Sequence, residues 1–140
     1  MKILIDTNVV IDALLSREPY NKSANDIFTL SANHIVEMYI TASSVTYIYH
    51  LLEKNLDNND TAKQMLGKLY TLAHVLEVTE SDCKNALNSQ VENYEYALIT
   101  QVAKRCKFDF IISRNGEEYK EGKINTITPD EFVKIAKGTC

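Results

Sequence analysis

The sequence has little that staples or kinks a chain: three cysteines, two prolines and four glycines in 140 residues. Glycine and proline this scarce exclude a collagen-like or low-complexity chain. Cys83, Cys106 and Cys140 are odd in number and none sits at metal-ligand spacing, so free thiols in a reducing compartment are expected. His34, His50 and His74 form no HxxxH or HxxE pair, which argues against a histidine-ligated zinc. No apolar run approaches the roughly 18 residues of a membrane span. Asp6 ends the opening apolar run too early for a signal peptide. The expectation is a cytoplasmic protein with no membrane partner. No repeat at solenoid periods is present.

What is present is ordinary globular composition, 45% hydrophobic and 24% charged. A chain of this length reads as a single domain over residues 1–140 and buries about 68% of its unfolded surface, enough for a core. A net charge of -4 does not advertise nucleic-acid affinity, but screening confines each charge to about 8–10 Å, so a local basic rim is compatible with it.

Short apolar runs alternate with amphipathic stretches. Strands are predicted at 2–6, 38–42, 75–78, 108–113 and, more weakly, 124–127. Helical spacing falls at 9–15, 23–32, 43–53, 61–73, 81–88 and 92–104. A last helix starts at Thr128-Pro129-Asp130-Glu131, where threonine caps, proline suits the first helical position and Glu131 closes a capping box. The pattern predicts an α/β fold: a three-layer α/β/α sandwich around a mainly parallel sheet of 4–5 strands.

Ligands in such folds sit outside the carboxyl ends of the strands, where the strand order reverses. That rule selects 6–8, 43–47 and 113–118. Asp6 following the first strand is either a helix cap or a functional carboxylate at the mouth of the crevice. Asp12, further along the short helix, is a cap partner or an acid standing behind the site. Arg114 offers a planar fork suited to phosphate, and Asn115-Gly116 otherwise reads as a surface turn with positive backbone dihedrals.

Several segments together are similar to the PIN domain family, in particular the bacterial kind found in VapC-type toxins. Ile3-Leu4-Ile5-Asp6-Thr7-Asn8-Val9-Val10-Ile11-Asp12 resembles the family's first acidic motif, and Arg17-Glu18-Pro19-Tyr20 the turn that follows in one subgroup. Ala42-Ser43-Ser44-Val45-Thr46 resembles the start of the second motif. Phe110-Ile111-Ile112-Ser113-Arg114-Asn115-Gly116-Glu117-Glu118-Tyr119 resembles the last, and Thr128-Pro129-Asp130-Glu131-Phe132 the family's ending. The similarity runs from residue 2 to about 132. It implies a PIN-like ribonuclease fold in which Mg²⁺ or Mn²⁺, held by carboxylates at the sheet edge, supports phosphodiester hydrolysis of RNA. It also implies a cognate antitoxin and a homodimer.

Carried over residue by residue, the resemblance shows a thinned acidic site. Asp6 stands at the first acid. Tyr47 occupies the position of the second and Tyr96, before Ala97-Leu98, that of the third. Asn93 replaces a further aspartate, and Glu118 before Tyr119 takes the place of the Asp-Phe pair. A phenol, with a pKa near 10, cannot act as a carboxylate at neutral pH. Losing acids also removes mutual repulsion, as expected where metal binding is relaxed. Asp6 and Glu118 are thus the candidate metal ligands, and the two are expected to meet. Glu95 is expected to point about 100° away from Tyr96. Glu92, one turn before Tyr96, is either a third candidate catalytic carboxylate or a first-turn acid complementing the helix dipole. Asn8, Ser43, Arg114 and Asn115 are candidates for substrate binding. Arg17, Lys120 and Lys123 are further candidates for RNA phosphates, and the tyrosines offer stacking surface.

Two functions follow: a metal-dependent endoribonuclease toxin with a weakened or lost site, or a non-catalytic PIN-like module binding RNA or protein. The second is motivated by Tyr47, Asn93 and Tyr96. A phosphoacceptor domain fits less well. It needs either an acidic pair or a second aspartate two residues after the first, where Asn8 stands.

Overall fold

Lys2–Ile5, here β1, is buried at every position but its first, as a β-branched and leucine run predicts for a strand covered on both faces. Its two-residue period divides it between two cores. Ile3 and Ile5 join Met38, Ile40 and Ile112 on one side, and Leu4 joins Ile99, Ala103 and Tyr119 on the other. The structure is a computed structural model and describes residues 1–138, so Cys140 lies outside the described residues. Cys83 and Cys106 are free thiols.

Four further strands follow: β2 (Glu37–Thr41), β3 (Ala73–Leu76), β4 (Phe110–Ile112) and β5 (Asn125–Ile127). All pair in parallel, in the order β3-β2-β1-β4-β5. Leu4 lies beside Tyr39 on one neighbour and Ile111 on the other. Helices α1 (Thr7–Leu14) and α2 (Asn21–Ala32) lead from β1 to β2, and α3 (Ala42–Leu56) and α4 (Asn59–Leu72) from β2 to β3. The chain then reverses direction across the sheet through α5 (Glu80–Leu87) and α6 (Tyr94–Arg105) to reach β4. Right-handed crossovers require such a reversal to change face. Accordingly α1 to α4 build the Ile3–Ile5 core, and α6 covers Leu4 and Ile111. A 3₁₀ segment (Gly116–Gly122) joins β4 to β5, and α7 (Pro129–Ala136) returns Phe132 to the first core.

Local signals set the element ends. The Thr128 hydroxyl accepts from the Glu131 amide, and the Glu131 carboxylate accepts from the Thr128 amide, both at 3.2 Å, which completes the expected box. Arg105 donates twice to Asp82 through Nε and once through a terminal nitrogen, and also to the Glu77 carbonyl at 2.7 Å, tying α5 to α6.

Three expectations are corrected. Helix α6 starts at Tyr94, not Glu92, because the Asn93 side chain caps it by accepting from the Tyr96 amide at 3.2 Å. Helix α1 starts at Thr7 rather than Val9. Asn115 has φ -113° and neither it nor Gly116 has a positive φ. Gly116 is needed for space instead: a Cβ there would stand 2.7 Å from Thr126 Oγ1.

Candidate active-site cleft

The strand order reverses at β1, so the carboxyl ends of β1 and β4 open the crevice. Asp6 leaves β1 and Ser113 leaves β4, joined by the Asp6 amide donating to the Ile112 carbonyl at 3.0 Å. Asp6 occupies the cap position of α1, yet its side chain makes no capping hydrogen bond. Asp6 Oδ2 accepts instead from Ser113 Oγ at 2.6 Å and from Asn8 Nδ2 at 3.2 Å. Ser113 Oγ in turn accepts from the Asn115 amide at 2.9 Å. The carboxylate is thus held by Ser113 beyond β4 and Asn8 in the first turn of α1 rather than spent on capping the helix.

Asp6 is 1% exposed. Burial pushes its pKa up, opposed by the Ser113 hydroxyl, the nearby Tyr119 hydroxyl, the Thr7 amide and the Arg114 charge. Tyr119 is fully buried beside it, and its hydroxyl closes no hydrogen bond of normal geometry. Burial and then the Asp6 charge drive this phenol far above its usual range, so it stays a neutral donor.

A cleft of about 320 Å³ opens over Asp6. Its walls come from α1 (Thr7, Asn8, Ile11), the following turn (Arg17), α3 (Tyr47, Leu51), the start of α6 (Asn93, Glu95, Tyr96) and Asn115. Glu95 is half-buried, and burial together with the Asp6 charge raises its pKa. Burial also raises the Tyr96 phenol, with the Asn115 hydrogen bond lowering it and the charges of Asp6, Glu95 and Glu118 raising it. Asn115 Nδ2 donates to the Tyr96 hydroxyl at 3.4 Å. Arg17 reaches the same cleft, and its side chain makes no ion pair or hydrogen bond among the described residues.

Of the candidate residues, Asp6, Asn8 and Asn115 line the cleft, while Glu118, Glu92, Ser43 and Arg114 do not. Glu118 is exposed because the 3₁₀ segment turns Tyr119 inward and its neighbour outward; what meets Asp6 is the phenol of 119, not the carboxylate of 118. Glu92 is exposed and precedes α6, so the one-turn spacing to Tyr96 does not apply. Ser43 Oγ lies 2.9 Å from Thr41 Oγ1 at the start of α3. Arg114 is engaged elsewhere. Its guanidinium donates twice to the buried Asp12, at 2.6 and 3.1 Å, and lies 4.0 Å from the Tyr20 ring centroid. It lines a separate cavity with Pro19, Tyr20, Ser23 and the start of α7.

Glu95 is the residue that helical rotation missed. Rotation about the helix axis turns Glu95 away only from a cleft that flanks α6. The cleft sits at the end of the helix instead, so Asn93, Glu95 and Tyr96 surround it together. An Asn cap followed by a first-turn acid was the readable signal.

The donor set suits a hard cation in part. Asp6 and Glu95 supply two carboxylates, and Asn8 Oδ1 is a buried oxygen without a hydrogen-bond partner. Mg²⁺ characteristically keeps several waters and takes one or two protein carboxylates. Among the described residues no group of three or more His, Cys, Asp or Glu could cage a metal. Asp6 and Glu95 are the cleft carboxylates that would hold a largely hydrated divalent ion.

Solved structures share this fold at low identity. A chain of VapBC2 from Rickettsia felis, in a complex bound to a promoter DNA fragment, is 14% identical with a TM-score of 0.68, covering 91% of this chain and 98% of that one. A chain of FitAB bound to an IR36 DNA fragment is 15% identical with a TM-score of 0.69, covering 92% and 95%. A chain of VapBC-1 from nontypeable Haemophilus influenzae is 15% identical with a TM-score of 0.61, covering 93% and 99%. Comparison with curated protein sequences gives no match. The family profile described as PIN domain matches residues 2–117, from the strand that delivers Asp6 to the 3₁₀ segment beside Asn115. With the crevice at the β1–β4 reversal and Asp6 oriented into it, the chain belongs to the PIN domain family.

Proposed function

We propose that this chain is the toxin-type component of a toxin–antitoxin pair, and that its Asp6 cleft acts on RNA phosphodiesters with Mg²⁺ or Mn²⁺ at a rate well below that of a full acidic cluster. The observation that carries the reading is the Asp6 carboxylate: buried, released from helix capping, oriented by Ser113 and Asn8, and sharing its cleft with Glu95. A protein pays this desolvation for function more readily than for stability. Family membership and the likeness to chains of VapBC2, FitAB and VapBC-1 support an antitoxin partner and a homodimer.

In this reading Asp6 and Glu95 would hold the cation. Ser113 and Asn8 fix the Asp6 carboxylate so that no reorganisation is needed on binding. Asn115 and Arg17 donate to the phosphodiester. When bound, the cation supplies charge neutralisation and a more acidic water. Tyr47, Asn93 and Tyr96 supply no charge to that ion, which is why turnover is reduced.

Those same three residues favour the second reading, a non-catalytic module that binds RNA or a protein partner. Thermal melting with and without Mn²⁺ separates them. A ligand at 100 times its dissociation constant adds about 2.7 kcal/mol. That is a rise of several degrees in a domain of this size. The first reading expects this rise and slow Mn²⁺-dependent RNA cleavage, both absent in Asp6→Asn. No rise, and cleavage equal to that of Asp6→Asn, leaves only the second.

A further inference from the structure

The cleft is unusual in what surrounds its two acids. Tyr47 and Tyr96 present phenols, Asn93 and Asn115 present amides, and Arg17 presents a cation. Tyr47 is 46% exposed and its hydroxyl has no partner among the described residues. A ring left open at a cleft mouth has a face available for stacking. Tyr96 is backed by the fully buried Tyr119, with ring centroids 4.9 Å apart, and its hydroxyl is held by Asn115. It is a supported surface rather than a mobile one.

Arg17 is the second observation. Two carboxylates line its cleft, yet it pairs with neither. Its planar donor fork is left for an anion. The turn that places it is fixed at both ends: the Arg17 amide donates to the Asp12 carbonyl at 3.1 Å, and its carbonyl accepts from the Asn21 amide at 2.8 Å. A flat ligand with an attached anion satisfies the whole set at once.

We propose that the cleft holds one base of single-stranded RNA against Tyr47 and Tyr96, with the adjoining phosphate on Arg17, through contacts that need no metal. The phenols that thinned the acidic cluster thereby supply base stacking in its place. Any base has a face to stack, so this grip is tolerant of sequence and intolerant of base removal. The inference rests on the proposal that RNA enters this cleft, and it adds the residues that hold RNA there.

The test is fluorescence anisotropy of a labelled single-stranded oligoribonucleotide titrated with the whole chain, in EDTA and in Mn²⁺. The same oligomer with abasic residues is run in parallel. The expected result is binding in EDTA. Tyr47→Phe keeps the affinity, whereas Tyr47→Ala and the abasic oligomer each lose roughly 5- to 150-fold, the range of one stacked base. Arg17→Gln weakens every sequence alike and reduces the salt slope by about 0.7. Tyr47 is at the surface, so its variants fold. If RNA binds but ignores both Tyr47→Ala and base removal, the base-binding inference is overturned and the RNA reading stands. Binding that appears only with Mn²⁺ also overturns it. If RNA binds under neither condition, both fall.

Discussion

Asp6 is held in a place that costs the fold. Burial raises its pKa above the ordinary 3.8, so the native state takes up this proton more readily than the unfolded chain. The sign follows: between 3.8 and the raised native value, stability falls as pH rises, and at neutral pH the stabilisation by the bound proton is gone. Asp6→Asn removes the charge while an amide oxygen can still accept from Ser113. The variant is expected to be about 1 kcal/mol more stable than the parent at neutral pH in EDTA. The gain should shrink towards zero as the pH is lowered to about 4. Melting curves of both proteins across that range check it, and a variant less stable at neutral pH would contradict the burial argument. At this scale the sequence was legible where a residue directly follows a strand. Asp6, Asn8 and Asn115 were readable from position. Arg114 was not, because its partners, Asp12 in α1 and Tyr20 in the turn before α2, are brought beside it only by the folded chain.

Among the elements, the 3₁₀ segment decides which neighbour of position 118 faces the site. Glu118 was the expected metal ligand, but Tyr119 takes the inward direction and packs beside Leu4 and Ile111. Gly116 opens that segment against β5 because a side chain there would collide with Thr126 Oγ1 at 2.7 Å. Gly116→Ala is therefore expected to cost about 1–3 kcal/mol, the usual range for overpacking. Adding Thr126→Ala should recover most of the loss, since it removes the atom in conflict. Urea unfolding of the single and double variants measures both, and additive costs would show that the collision is not the cause. Capping signals made other elements readable: Thr128 and Glu131 fixed α7 in advance. At α6 helical spacing alone reads a start at Glu92, whereas the Asn93 cap sets it at Tyr94. Two residues there moved a carboxylate in or out of the cleft.

For the molecule as a whole, the parallel sheet and its two helical layers followed from alternating apolar runs and helical spacing. The order β3-β2-β1-β4-β5 did not, because strand neighbours are chosen by crossover handedness and by cores that close over long sequence distances. That order sets the site. It brings Asp6 from just beyond the first strand and Asn115 from beyond the fourth together with Glu95 in the first turn of α6, residues that no local window contains. We propose that a cation in this cleft sits on Asp6 and Glu95 rather than on Asp6 and Glu118. Crystals soaked in Mn²⁺ and measured for anomalous scattering test it most directly. The expected result is one strong peak within coordination distance of the Asp6 and Glu95 carboxylates, lost in Glu95→Gln and retained in Glu118→Gln. A peak that survives Glu95→Gln but vanishes with Glu118→Gln, or no peak at Asp6 at all, would contradict it.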